Sequence, residues 1–222
     1  MGDDVARPAE GRQPAAPMSS SQIARRVRIL RAASELGARE GLASVQMHDV
    51  AKEAGVAIAT LYRYFPSKPY LFMAVLEWHI EQYLGGHESG HESGQAKGQG
   101  NGREGLAAAD VGTDAAAEVA ELLITLSVKL LDSPLLASAV ALSSFTEYAT
   151  AVPARIDIVD SALGQAILRL LGANEASETD RSRARLLIYG WWGLFVAMLT
   201  EEISTEEAET NMRLAARLLL TP

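Results

Sequence analysis

Residues 47–68, MHDVAKEAGVAIATLYRYFPSK, constrain the fold more than any other stretch, because their helix stops fall too close together for one long helix. Val50, Ala51 and Ala54 make the apolar face of a first short helix. Asp49 sits near its positive N-terminus, where an acid is favoured. Gly55 follows at once, and glycine is the usual left-handed helix stop. Val56 plugs the turn. Residues 58–65 then predict a second short helix, with Leu61 and Phe65 facing inward at i, i+4 spacing. Pro66 ends it, Ser67 caps the next helix, and Lys68 lies in that helix's first turn. A lysine there opposes the helix dipole, so an anion such as a phosphate is expected beside it. Two short helices joined by a glycine turn predict a helix-turn-helix at about 46–65, a unit that sits in the major groove of DNA.

The charge distribution agrees. The whole chain has a net charge of −8, which by itself argues against a nucleic-acid binder. Residues 21–68, however, carry eight basic and four acidic side chains, whereas residues 85–222 carry ten and nineteen. A basic head on an acidic body is the footprint of a DNA-binding protein. Hydrophobic residues make up 48% of the chain, enough for a sizeable core, and strand-like alternation is scarce. The expected fold class is all-α, with about nine helices. There is no cysteine, which excludes disulfides and thiolate metal sites. Residues 1–20 have no apolar signal segment. The longest apolar run, 186–199, is 14 residues and contains two glycines, short of the ~18 that suggest a membrane span. Together these predict a cytoplasmic protein with no membrane partner.

Taken in order, residues 1–20 read as a disordered tail. A first helix spans about 21–39, capped by Ser19, Ser20 or Ser21, with Ile23, Val27, Leu30 and Ser34 toward the core. Arg25, Arg26, Arg28 and Arg31 are either a solvated face or phosphate contacts near the helix start, for which only Arg25 and Arg26 are well placed. Gln46 is a candidate cap for the helix in which Met47 and His48 could touch phosphates. A helix from about 67 to 84 buries Phe72, Val75, Leu76, His79, Ile80 and Tyr83 and joins head to body. Residues 85–113 hold a tandem HESG and, within 85–105, eight of the 18 glycines, and predict a flexible loop. His87 and His91 are spaced like metal ligands, but glycine-rich coil does not hold such spacing rigidly. Further helices are expected at about 114–131, 134–150 (Ser133 cap, Pro134 at the first position), 154–171, up to 203, and 205–220 behind a Ser204/Glu207 capping box. The stretch LLIYGWWGLFVAML is apolar all round, so it predicts burial on more than one side.

The residues Gly41, Met47, Asp49, Val50, Ala51, Ala54, Gly55, Val56, Thr60, Leu61, Tyr62, Tyr64, Phe65, Lys68 and Leu71 carry a resemblance to the TetR family of bacterial transcriptional regulators, over roughly residues 21–84. Family members often have a small hydroxylated residue where Ala57 stands, capping the recognition helix; its absence removes one backbone-phosphate contact. The resemblance implies a DNA-binding domain at 21–68 and a ligand-binding and dimerisation domain at 69–222. It also implies a homodimer through the last two helices and a helix after the head that transmits ligand binding. Residues 45–47, 61–68, 133–136 and 191–200 further resemble actinobacterial repressors of steroid and cholesterol breakdown, which respond to bulky acyl-CoA intermediates.

These readings assign candidate DNA-binding residues Met47, His48, Ile58, Ala59, Thr60, Tyr62, Arg63, Tyr64 and Lys68. Arg63 is the strong guanine reader among them, and Thr60, Tyr62, Tyr64 and Lys68 position the backbone. Candidate linings of an apolar effector pocket are Trp78, Leu122, Leu126, Leu130, Phe145, Tyr148, Trp191, Trp192 and Phe195, each of which also suits ordinary core packing. The expected partners are a double-stranded, roughly palindromic DNA operator and a small-molecule effector that releases the repressor. An architectural DNA binder with no effector is the alternative. No catalytic residue, metal or cofactor is expected: phosphate loops, paired acids, nucleophile–base arrangements and metal-ligand clusters are missing from the sequence.

Overall fold

The computed structural model describes residues 19–92, 108–149, 157–172 and 176–220; the side chains of 87–92, 108–114 and 147–149 lie outside that description. The described residues are helical with no strand. The helices are α1 (Ser20–Ser44), α2 (Met47–Glu53), α3 (Ile58–Tyr64), α4 (Lys68–Glu92), α5 (Ala108–Leu131), α6 (Pro134–Ala149), α7 (Ala162–Leu170), α8 (Glu178–Leu199) and α9 (Thr205–Leu220), with one 3-10 turn at Ile158–Asp160 before α7.

Capping explains most of the boundaries. Ser19 and Gln22 form a reciprocal capping box at the start of α1. Gly41 breaks that helix near its end with a φ of +73°, a conformation that L side chains rarely adopt. The Ser67 hydroxyl accepts from Tyr70 N–H to open α4, and Ser204 accepts from Glu207 N–H to open α9. Ser177 and Asp180 form a second capping box at α8.

Several boundaries differ from the sequence expectation. The helix expected at 154–171 begins only at Ala162. The Asp157 carboxylate first caps the 3-10 turn through Val159 N–H, and Ser161 then caps α7 through Gly164 N–H. Helix α4 runs eight residues beyond Leu84, and α5 starts six residues before Asp114, so helix enters the expected loop from both sides. Once a helix is anchored by packing, each added residue gains a backbone hydrogen bond at little cost, even in a poor sequence. The middle of that loop, 93–107, lies outside the described residues, as does the predicted tail up to residue 18. In α1 the core stripe is Ile29, Leu30, Ala33 and Leu36. Ile23, expected inward, is 49% exposed, as is the whole start of α1 through residue 24, which the head core does not cover.

One core runs from head to body. In the head, Ile29, Leu30, Val45, Val50, Leu61, Phe65 and Leu71 are fully buried. Helices α1 and α4 then pack together on α6. At that crossing Gly37 is required: a Cβ there would stand 2.6 Å from the Phe72 ring and 3.0 Å from Leu136. In the body, α5 and α8 pack on α9, and the indole N–H of buried Trp191 donates to Leu123 O at 2.9 Å and Ser127 Oγ at 2.8 Å. No single described helix is long and apolar enough to cross a membrane.

Candidate nucleic-acid interface

The helix-turn-helix forms from the residues that predicted it. Val50 and Ala51 bury one face of α2, and Leu61 buries one face of α3. Gly55 adopts φ +64° in open space, and Val56 N–H closes the turn onto Ala51 O at 2.9 Å. Ala57 precedes α3 without a side-chain cap bond. The backbone N–H groups of Ile58 and Ala59 therefore remain without intrahelical partners at the mouth of the helix.

With Leu61 and Phe65 holding α3 to the core, its opposite face is open. Ile58 is 42% and Tyr62 49% exposed; Ala59 and Arg63 are exposed, and Thr60 and Tyr64 are half-buried. The Arg63 guanidinium lies over the Tyr64 ring at 5.9 Å, an arrangement that orients the fork at an exposed site. Tyr64 in turn packs on Phe65, with ring centroids 6.3 Å apart. On the neighbouring face of α1, Arg26 lies over the Phe65 ring at 5.9 Å and Arg28 Nε donates to Ala54 O at 3.4 Å. These two arginines brace the head, a role outside the two alternatives, solvated face or phosphate contact, expected from the sequence. His48 is exposed and its Nε2 sits 2.9 Å from the Asp49 carboxylate.

Two expected contacts are placed differently. The Met47 side chain, at the first position of α2, is buried with the head core rather than exposed toward DNA, because α2 packs on α1 and α3. Lys68 is half-buried, and its Nζ donates to Leu42 O at 2.7 Å and Val45 O at 3.0 Å. No sequence pattern announced that pairing, because it joins residues 23 and 26 positions apart.

The expected effector lining is distributed rather than gathered. Leu126, Leu130, Trp191 and Phe195 are core residues; Trp78, Leu122 and Trp192 are half-buried; Phe145 is 57% exposed. The Tyr148 side chain lies outside the described residues. Trp192 and Phe195 stack with centroids 5.1 Å apart. Beside Trp191 a cleft of about 10 Å³, room for one water, is lined by Ile124, Leu194, Met198, Ala208 and Met212 among others. Two buried polar atoms, Trp78 Nε1 on α4 and Ser143 Oγ on α6, have no hydrogen-bond partner among the described residues. His79, next to Trp78, bonds Ser34 of α1 through Nε2 at 2.8 Å, and burial holds its pKa below the usual value. The expected metal-like pair, His87 and His91, lies outside the described side chains; elsewhere no group of three or more metal-ligating residues occurs among the described residues.

Two family models match the chain: bacterial regulatory proteins of the tetR family over residues 29–75, and the tetracyclin repressor-like C-terminal domain over residues 112–219. The chain is similar to the HTH-type transcriptional repressor KstR of Rhodococcus jostii, at 28% identity over 91% of this chain and 85% of that protein. It is similar to KstR of Mycobacterium tuberculosis at 28% identity over 91% of this chain and 83% of that protein. A crystal structure of a TetR transcriptional regulator from Rhodococcus sp. RHA1 shares 36% identity, covers 91% of this chain and 97% of its own, and superposes with a TM-score of 0.67. An exposed recognition helix on a braced three-helix head, continuous with an all-α body and matched over both parts, places the chain in the TetR family of transcriptional regulators.

Proposed function

We propose that this regulator is a repressor that binds a palindromic operator as a homodimer and is released by a small apolar effector. The observation that carries the reading is the exposed face of α3, Ile58, Ala59, Tyr62 and Arg63, held outward by buried Leu61 and Phe65. His48, Thr60 and Tyr64 flank it. Arg63 reads a guanine edge in the major groove, and the tyrosines and Thr60 fix the register on the phosphates. One head presents too few contacts for a specific site, which is why two-fold partners and matching half-sites are needed.

The last two helices supply the dimer surface. Leu186 and Tyr189 on α8 and Leu214 and Leu218 on α9 are 45–73% exposed. Gly190 and Gly193 lie on α8 with nothing within 4 Å of where a Cβ would be. An exposed apolar stripe with open glycines admits a partner helix at close range. Leu218→Glu is expected to shift the chain to monomers in sedimentation; an unchanged dimer contradicts this surface.

Effector release is supported by the unpartnered Trp78 Nε1 and Ser143 Oγ on two helices that pack together, α4 and α6. Leaving a buried polar atom unpaired costs about 1–3 kcal/mol, and an effector with one hydrogen-bonding group on an apolar frame would satisfy it. Bulky acyl-CoA or steroid-like metabolites fit that description and the resemblance noted above. The tight packing around Trp191 and Phe195 favours the second reading, an effector-independent binder. The proposed setting is the cytoplasm. The test is binding of the full chain to its own promoter DNA with and without a panel of acyl-CoA thioesters. Specific binding lost with one thioester supports release; specific binding indifferent to all of them leaves the second reading.

A further inference from the structure

The open face of α3 presents carbon where a DNA-facing surface ordinarily presents charge. On α2 and α3 the large apolar side chains left exposed are Ile58, at 42%, and Tyr62, at 49%, and Ala59 beside them is exposed too. At about 100° per residue, these three share an arc of roughly 100° on the helix. Arg63 lies just beyond that arc, and buried Leu61 and Phe65 hold the other side to the core. The chain leading into α3 is anchored. Ala57 O accepts from Thr60 N–H at 2.8 Å and from Leu61 N–H at 3.1 Å, and Val56 packs on the head core. Ile58 is thereby held outward.

An exposed isoleucine alone needs no explanation. This one stands on the basic head of an acidic chain, with eight basic and four acidic side chains over residues 21–68. Its side chain has no donor and no acceptor, so it pairs with no phosphate and forms no hydrogen bond to a base edge. The major-groove group that complements it is the C5-methyl of thymine, the apolar group of that groove's readout code.

We propose that Ile58 is a specificity-determining residue that packs on a thymine methyl in each operator half-site. Ala59 is small enough to let the helix approach, and Arg63 reads guanine alongside. Ile58 and Arg63 are separated along the helix axis by roughly 7.5 Å, at ~1.5 Å per residue. That is about two base pairs at ~3.4 Å each, so the thymine lies within about three base pairs of the guanine. This inference rests on the reading of α3 as the operator-binding helix.

The experiment uses the full chain, wild type and Ile58→Ala, on its own promoter fragment with thymines replaced one at a time by uracil. Uracil lacks only the C5-methyl and keeps every hydrogen-bonding group. Burial of one methyl is worth about fourfold in affinity. At one position in each half-site, uracil should weaken wild-type binding by about fourfold and leave Ile58→Ala binding unchanged. That position should lie beside the base pair whose discrimination Arg63→Ala relaxes. Ile58→Ala itself should lose several-fold on the promoter fragment and bind a random duplex as wild type does, which also shows that its head is folded. Uracil costs that are equal in the two proteins at every position overturn the methyl contact. So does equal loss by Ile58→Ala on promoter and random DNA. Both of those outcomes leave sequence-specific binding by the wild type intact. A wild type with no preference for promoter over random DNA overturns the regulator reading itself, and the proposal with it, so the two failures are distinguishable.

Discussion

Substituting Arg63 separates base reading from everything else the head does. The side chain is exposed, lies over the Tyr64 ring at 5.9 Å and forms no ion pair among the described residues. Its removal therefore costs the fold only an exposed cation–π contact, ~0.5–1 kcal/mol, which in a chain of this size lowers Tm by about 1–4 °C. The loss on operator DNA is larger. A bidentate guanine contact is worth ~1–3 kcal/mol, or about 5- to 150-fold in affinity. Arg63→Lys should lose nearly as much, because the ammonium keeps the charge but not the planar fork. The assay is fluorescence anisotropy of the full chain on promoter DNA and on a scrambled duplex, at one fixed salt concentration, for wild type, Arg63→Ala and Arg63→Lys. The expected result is a specific-to-random ratio that collapses in both variants while random binding changes little for the lysine. Equal loss on both duplexes would refute the reader role and make Arg63 a phosphate contact.

Trp191→Phe should destabilise the body by about 2–3 kcal/mol, from the lost indole hydrogen bond and the missing ring volume. Ser127→Ala should be non-additive with it, because Ser127 Oγ shares the same indole N–H; denaturant titration at one protein concentration measures both, and full additivity would contradict the shared bond. Asp157, bonded to Arg185 first and then to Val159 N–H, has its pKa lowered from 3.8 to about 2. A depressed folded-state pKa contributes stability that is present above pH ~4 and lost as pH falls toward 2. Asp157→Asn should therefore flatten the acid limb of a stability–pH curve; an unaltered limb would show that the pair does not matter to folding.

The head was legible in the sequence because its signals are local. Gly55 directly after Ala54, Pro66 after Phe65, and Leu61 with Phe65 each act within a turn, and each holds in the structure. Helix caps at Ser67 and Ser204 also act over three residues. What stayed hidden depends on distant partners. Met47 reads as an outward residue of a short helix, yet it is buried in the head, where α2 packs on α1 and α3. The Lys68 pairing with Leu42 and Val45 carbonyls has no periodic signature. The late start of α7 turned on Asp157 and Ser161, two caps in succession, where the helical pattern alone extended back to 154. Gly37 was unremarkable in sequence, and only the crossing of Phe72 and Leu136 shows that it has no room for a side chain. The pocket residues were chosen by apolarity, which does not separate a lined cavity from a filled core. Trp191 and Phe195 are filled core.

In the proposed mechanism α3 of two paired heads reads one operator. Hydroxyl-radical footprinting of the full chain on its own promoter tests it most directly. Two paired heads should leave two short protected tracts related by a dyad, their centres separated by one DNA turn of ~10 base pairs or a whole multiple of it, and both should be lost with Leu218→Glu. Continuous protection along the fragment, or a single tract that persists in the monomeric variant, would contradict it.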